Sequence, residues 1–117
     1  MGRFGDYLRC TREQKRKSDS RFSVRQLAAR VGVEPSYLSK VERGEQPPPS
    51  EKTIVALAAE LDEDPDVLLA LGGKVSSDLQ TVILNRPRLF ADLIRQLKDM
   101  PDQAVLRIVR EVRDGNW

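Results

Sequence analysis

Apolar residues recur with helical spacing in the segments that lie between the chain's turn-forming residues. Val24, Leu27, Ala28 and Val31 follow the i, i+3, i+4, i+7 pattern, which places them on one side of an α-helix. The same spacing starts again at three later positions, namely Ile54, Phe90 and Val105. No segment alternates between apolar and polar residues as a half-buried strand does. The pattern therefore predicts an all-α protein.

Glycine, proline and polar clusters divide the chain into eight segments, each ending at a helix-breaking signal. Side chains that can cap a helix start stand at Ser23, Ser50, Asp64 and Ser77. We expect helices over about 3–14, 23–31, 35–43, 50–61, 65–71, 77–85, 87–99 and 102–113. Because 117 residues suffice for one small domain with a helical appendage, we place a domain at 1–73 and a helical extension at 74–117.

Composition excludes several classes of enzyme. The chain has no histidine and one cysteine, Cys10, so it can hold neither a Ser-His-Asp triad, a Cys-His pair, a two-histidine metal site nor a disulfide framework. The acidic run 62–66 could be imagined as the cation site of a small nuclease, but Asp64 before Pro65 is a helix start where acids favour the helix dipole. We expect no catalytic activity, no metal and no cofactor.

The start of the chain lacks an apolar signal core, and no stretch approaches the roughly 20 apolar residues of a membrane span. We therefore expect a cytoplasmic protein with no membrane contact. Residues 1–50 carry eleven Lys and Arg against six Asp and Glu, a net charge of +5, whereas residues 51–84 carry −5 and residues 85–117 carry +2. A basic half beside an acidic middle indicates a surface that meets a polyanion with one side. Single-stranded RNA is disfavoured because the chain has only six aromatic residues and no evident stacking platform.

The segment 23–44 has the pattern of two helices joined by a tight turn. Ala28 provides a small side chain where the helices cross, and Gly32 can take the left-handed conformation that the turn needs. Leucine and valine face inward, which leaves small or long-armed polar groups on the outer side of the second helix. These residues suit a DNA major groove, and they are Pro35, Ser36, Tyr37, Ser39, Lys40 and Arg43.

Over about residues 4–71 the sequence resembles the helix-turn-helix family of phage Cro and repressor proteins, often called the xenobiotic-response-element family. The resemblance is carried by Leu8-Arg9, Arg12-Glu13, Ser23, Leu27-Ala28, Val31-Gly32-Val33, the runs 35–39 and 41–44, Pro49-Ser50 and Asp64-Pro65. It implies a five-helix, lambda-repressor-like domain whose third helix enters the major groove. It also implies a dimeric transcriptional regulator on a palindromic operator.

The resemblance assigns expected roles to individual residues. Pro35, Ser36 and Lys40 match base-facing positions, and Tyr37 and Arg43 match positions at the groove edge or phosphates. It further implies that two charged residues form a buried ion pair between the first and third helices, namely Arg12 and Glu42.

Two departures from the family pattern affect phosphate contacts. Val24 stands where the family commonly has a phosphate-binding glutamine, so that contact is lost or moved to Arg25. The connection after the first helix is also longer and basic over 15–21. It is either a solvated loop or a mobile arm in which Lys15, Arg16 and Lys17 add phosphate contacts.

The helices expected in 74–117 are too apolar to form a linker. They either pack on the same protomer or form the interface of a homodimer, which operator symmetry requires, and we favour the dimer. A rival within binding proteins is an antitoxin or a partner-binding regulator whose C-terminal helices hold another protein.

Overall fold

The structure, a computed structural model, describes residues 3–117 and has eight α-helices, one short 3₁₀ helix and no strand over that range. The α-helices are α1 (Arg3–Arg16), α2 (Val24–Val31), α3 (Pro35–Glu42), α4 (Glu51–Leu61), α5 (Pro65–Leu71), α6 (Ser77–Asn85), α7 (Pro87–Leu97) and α8 (Asp102–Asp114). The predicted all-α fold, five helices followed by about three more, is confirmed. The expected helix bounds agree with these to within two residues. The helices form two compact units, the first ending at Ser76 and the second running from Ser77 to Trp117.

The first unit has a continuous apolar core to which all five of its helices contribute. Helix α1 packs against α3, α4 and α5, while α2 packs against α3 and α4. Twelve buried apolar residues form this core, namely Phe4, Leu8, Leu27, Ala28, Leu38, Val41, Ile54, Leu57, Ala58, Leu61, Leu68 and Leu69. Burial of this apolar surface is the main force that holds the short helices together, because isolated helices of this length are marginal in water.

Side-chain caps begin three helices of the first unit where the sequence predicts them. Ser23 Oγ accepts a hydrogen bond from the Gln26 backbone N–H at 3.2 Å, and Asp64 Oδ1 accepts one from the Asp66 N–H at 2.8 Å. Ser50 caps α4 in the same way. Each cap satisfies an N–H that has no partner inside its own helix.

The turn between α2 and α3 depends on a left-handed glycine. Gly32 has φ of 79° and ψ of 31° and ends α2, while the N–H groups of Gly32 and Val33 both donate to the Ala28 carbonyl. A residue with a Cβ is strained in this conformation. The turn thus allows α3 to begin at Pro35.

Helix α1 crosses the end of α3 at a close approach that the sequence did not reveal. Gly5 is buried, and a Cβ built on it would lie 2.5 Å from the Val41 carbonyl oxygen and 2.7 Å from that of Glu42. These contacts are backbone atoms, which cannot swing aside as side chains do. Only glycine fits this position.

The basic connection after α1 is more ordered than expected. Helix α1 continues through Arg16, and a 3₁₀ helix follows at Ser20–Phe22, so the expectation of a loop over 15–21 is wrong in its extent. Asp19 accepts from the Arg21 backbone N–H at 2.9 Å and pairs with its guanidinium at 2.8 Å. These hydrogen bonds lower the pKa of Asp19 to about 2.

Phe22 is the apolar anchor of this connection. It is half-buried and packs against the core. The Lys15 ammonium lies 5.7 Å from its ring centroid and the Arg30 guanidinium 5.0 Å from it, both within cation–π range. These contacts and the Asp19 cap stiffen the connection. They explain why residues 15–21, which are all polar and have no helical period, still adopt regular structure.

The second unit lacks a buried core of its own. Helices α6 and α7 contact each other. The structure describes all of residues 77–117, and none of them is buried. The indole Nε1 of Trp117 donates to the Val112 carbonyl at 2.9 Å, although 91% of this residue is exposed. Ten further large apolar residues are exposed in this unit, namely Leu79, Val82, Leu84, Leu89, Leu93, Ile94, Met100, Leu106, Val109 and Val112.

Across residues 3–117, no helix combines the length and the apolar character needed to span a membrane.

Candidate nucleic-acid interface

Helix α3 has one side in the core and one side in solvent. Leu38 and Val41 are 1% and 2% exposed and hold the helix against α1 and α2. Six residues that the sequence assigns to a DNA groove lie on the remaining surface. Pro35, Ser36, Lys40 and Arg43 are exposed, and Tyr37 and Ser39 are half-buried.

The spacing of the exposed residues aligns them along one stripe of α3. Ser36 and Lys40 are four residues apart and Lys40 and Arg43 three apart, so their side chains are neighbours on the helix surface. Tyr37 also packs against the apolar core with part of its ring. The stripe therefore presents hydroxyl, ammonium and guanidinium groups together, the donors that read base edges and phosphates.

A buried ion pair ties the back of α3 to α1. Arg12 Nε donates to Glu42 Oε2 at 2.7 Å and Arg12 Nη2 to Oε1 at 2.9 Å. Arg12 is 3% exposed and Glu42 5%. A third donor, Nη1, reaches the Phe22 carbonyl at 3.1 Å. The hydrogen bond to Glu42 is the main cause of a raised pKa at Arg12. The pair fixes how α3 sits on α1.

Other basic residues of the first unit differ in whether an acidic side chain already pairs with them. Arg25 is exposed at the second position of α2, and Lys17 is exposed directly after α1. Among residues 3–117 neither of them, nor Lys40, forms an ion pair. By contrast, Arg16 lies 3.7 Å from Glu13. The unpaired cations are those most available to a polyanion.

Arg9 is a basic residue near α3 to which the sequence assigned no role. It lines an open cleft of about 180 Å³ together with Ser39, Glu42 and Arg43. The position of Arg9 in the sequence could have indicated this role, because Arg9 stands three residues before Arg12 and so shares the side of α1 that faces α3. The cleft adds a guanidinium from α1 to the exposed stripe of α3.

The acidic run after α4 is occupied by structural contacts. Asp62 ends α4 in the left-handed region with φ of 57°, and Asp64 caps α5. The Tyr7 hydroxyl donates to Glu63 Oε1, and this hydrogen bond is the main cause of a raised pKa at Tyr7. Structural contacts thus engage the carboxylates of Glu63 and Asp64, two of the four acids that the nuclease alternative would need as ligands. Cys10 is exposed on α1 as a free thiol.

Comparison with known proteins identifies the first unit. A family model described as a helix-turn-helix domain matches residues 3–71, which span α1 to α5 and more than half of the chain. Neither the comparison with curated proteins nor that with solved structures found a significant match. Helix-turn-helix domains place their second motif helix in the DNA major groove, and α3 is the second helix of the motif in this chain. The chain therefore belongs to the helix-turn-helix domain family.

Proposed function

We propose that this protein is a sequence-specific transcriptional regulator of the Cro and repressor type, which binds double-stranded DNA with α3 in the major groove. The observation that carries the proposal is the two-sided character of α3. Its apolar side and Glu42 are fixed in the core, and its solvent side carries the polar stripe of Ser36, Lys40 and Arg43. A rigid helix whose exposed side chains are polar and cationic is what direct readout in a groove requires.

Within this proposal the exposed residues divide into base readers and phosphate anchors. Pro35 and Ser36 lie in the first turn of α3 and meet base edges, since the N-terminal residues of a recognition helix contact bases. Lys40 lies in the last turn and meets a base edge with its long side chain. The groove edge and phosphates are met by five more residues, namely Tyr37, Ser39, Arg43, Arg25 and Lys17. Lys15 and Arg16 extend this basic surface along the end of α1, where Lys15 also contacts Phe22.

We further propose that α6–α8 form a homodimer interface, which would bring two copies of α3 to the two halves of a palindromic operator. The exposed apolar residues of the second unit support this, because short amphipathic helices gain stability only by burying their apolar sides. Pairing two modest half-site contacts can raise affinity by about 10²–10⁴. Successive half-sites on one face of B-DNA lie roughly 34 Å apart.

Selection from a library of random duplexes tests the proposed readout. The full chain should enrich a two-fold symmetric motif whose half-site centres are separated by about one helical turn. Enrichment of an asymmetric motif would refute the proposal of a symmetric dimer. Failure to enrich any motif would refute sequence-specific binding.

Sedimentation velocity tests the dimer with a matched pair of variants. Ile94→Glu places a charge on the apolar side of α7, whereas Val67→Glu places one on a comparably exposed residue of α5; the two residues are 54% and 49% exposed. We expect the wild type and Val67→Glu to sediment as dimers and Ile94→Glu as a monomer. A monomeric wild type that co-purifies with a different protein from its native cell would favour the partner-binding alternative.

A further inference from the structure

We propose that Arg9, Ser39 and Arg43 form a binding cleft for one backbone phosphate of the bound duplex, and that this phosphate displaces Glu45 from Arg43. This inference rests on the proposed DNA binding and adds Arg9 to the contact surface. It makes Arg9 a positioning residue, which sets where α3 lies in the groove without reading a base.

The cleft has the size and lining of an oxyanion site. It is open to solvent and encloses about 180 Å³ between α1 and the C-terminal part of α3. Since one water occupies about 30 Å³ of liquid, a tetrahedral phosphate fits with some of its hydration. Two arginines and a serine line it together with Glu42, and arginine matches phosphate oxygens with two parallel N–H donors.

Glu42 also lines the cleft, but its repulsion of an anion is reduced by its ion pair with Arg12. Both oxygens of Glu42 accept hydrogen bonds from Arg12, at 2.7 and 2.9 Å, so its charge is balanced from behind. Arg9 is exposed and forms no ion pair with any residue from 3 to 117. The cleft therefore offers one unpaired cation directly to an incoming phosphate.

Arg43, the second cation, is held by a neighbour that can be exchanged. Its Nε donates to Glu45 Oε2 at 2.7 Å and its Nη2 to Oε1 at 3.3 Å. Both side chains are about half exposed, at 52% and 55%, so water and salt weaken the pair. The hydrogen bond from Arg43 lowers the pKa of Glu45, as expected for a carboxylate paired with a guanidinium. Glu45 thus positions Arg43 in the free protein and competes with DNA for it.

The cleft lies at the end of the reading stripe. Arg43 caps the end of α3 four residues after Ser39, and Lys40 stands between them in sequence on the exposed side. A phosphate gripped jointly by α1 and α3 would therefore fix the register of Lys40 on the bases. Because the two cations come from different helices, the grip also requires the relative placement of α1 and α3 that Arg12 and Glu42 maintain.

Fluorescence anisotropy with the full chain tests this on the selected operator and on a random-sequence duplex, at several salt concentrations between roughly 50 and 200 mM. Arg9→Gln should lose about five- to tenfold in affinity on both duplexes, and its slope of log K against log salt should be shallower by about 0.9. Arg3→Gln removes the same charge from an exposed residue of the same helix and should change both quantities much less. Thermal melting should show that Arg9→Gln folds like the wild type, since Arg9 is exposed.

A double-mutant cycle tests the exchange at Arg43. Glu45→Gln should raise affinity on both duplexes in the wild-type background and should have no effect when Arg43 is already glutamine. An equal gain in both backgrounds would show that Glu45 acts through overall charge and would overturn the exchange. Unchanged affinity and slope in Arg9→Gln, or an equal loss in Arg3→Gln, would overturn the cleft while wild-type binding leaves the proposed function standing. A wild type that binds neither duplex would overturn both.

Discussion

Removing Glu42 should be among the most damaging single substitutions in the first unit, because it leaves Arg12 buried without its counterion. Glu42→Ala deletes the acceptors of two hydrogen bonds, at 2.7 and 2.9 Å, from a guanidinium that is 3% exposed. Breaking a buried pair in this way costs about 3–5 kcal/mol.

The contacts that remain to Arg12 offset little of this cost. Its Nη1 keeps the Phe22 carbonyl at 3.1 Å and approaches Glu13 at 3.6 Å, but Glu13 is 43% exposed and an exposed pair contributes at most about 1 kcal/mol. We therefore expect a net loss of about 3 kcal/mol, a large part of the roughly 5–15 kcal/mol that stabilises a domain. For a unit of this size each kcal/mol lowers the melting temperature by about 4–8 °C.

Thermal unfolding followed by circular dichroism measures this loss. Glu42→Ala should melt at least about 12 °C below the wild type, and DNA affinity should fall with it because α3 loses its fixed place on α1. The double replacement Arg12→Met with Glu42→Leu removes both charges and should recover much of the stability. A Glu42→Ala protein that melts within a few degrees of the wild type would refute the reasoning that the pair is a buried, mutually dependent unit.

Two further predictions concern the backbone and the pH dependence of the first unit. Gly5→Ala should lower the melting temperature, because the new Cβ would lie 2.5 Å from the Val41 carbonyl oxygen and overpacking costs about 1–3 kcal/mol. This cost opposes the roughly 1 kcal/mol by which alanine favours a helix over glycine. A higher melting temperature would contradict the close approach of the two helices. The Asp19 carboxyl should titrate near 2 in the folded chain and near 3.9 when unfolded, as NMR can follow. Because the folded value is the lower one, the contribution of Asp19 is complete above about pH 4 and is lost as pH falls through about 2. A folded value near 4 would show that the bond to Arg21 does not persist in solution.

Helices α2 and α4 were predictable because each one buries a regular apolar pattern. The i, i+3, i+4, i+7 spacing around Leu27 and Ile54 reflects the same burial that the folded core shows, where both are 0% exposed. Caps such as Ser23 were predictable because their chemistry is local, since a hydroxyl satisfies an N–H three residues away.

Features that depend on contacts between distant segments were not predictable in this way. Gly5 looks in sequence like a residue that weakens a helix, and its value appears only where α1 meets the α3 carbonyls. The order around Asp19 rests on Phe22 packing and on a capping bond inside a polar stretch. Arg9 joins Ser39 and Arg43 only because α1 lies beside α3 in the fold.

The most direct test of the account compares base preferences of Lys40→Ala and Lys17→Ala across single-base variants of the selected operator. Both lysines are exposed and unpaired among the described residues, but Lys40 lies on the reading stripe of α3 and Lys17 follows α1. With α3 in the major groove, Lys40→Ala should lose about 1–3 kcal/mol of discrimination at one base pair in each half-site, while Lys17→Ala should weaken binding to every variant by the same factor. A Lys40→Ala protein that keeps the full base preferences of the wild type would contradict the central claim that α3 reads the DNA.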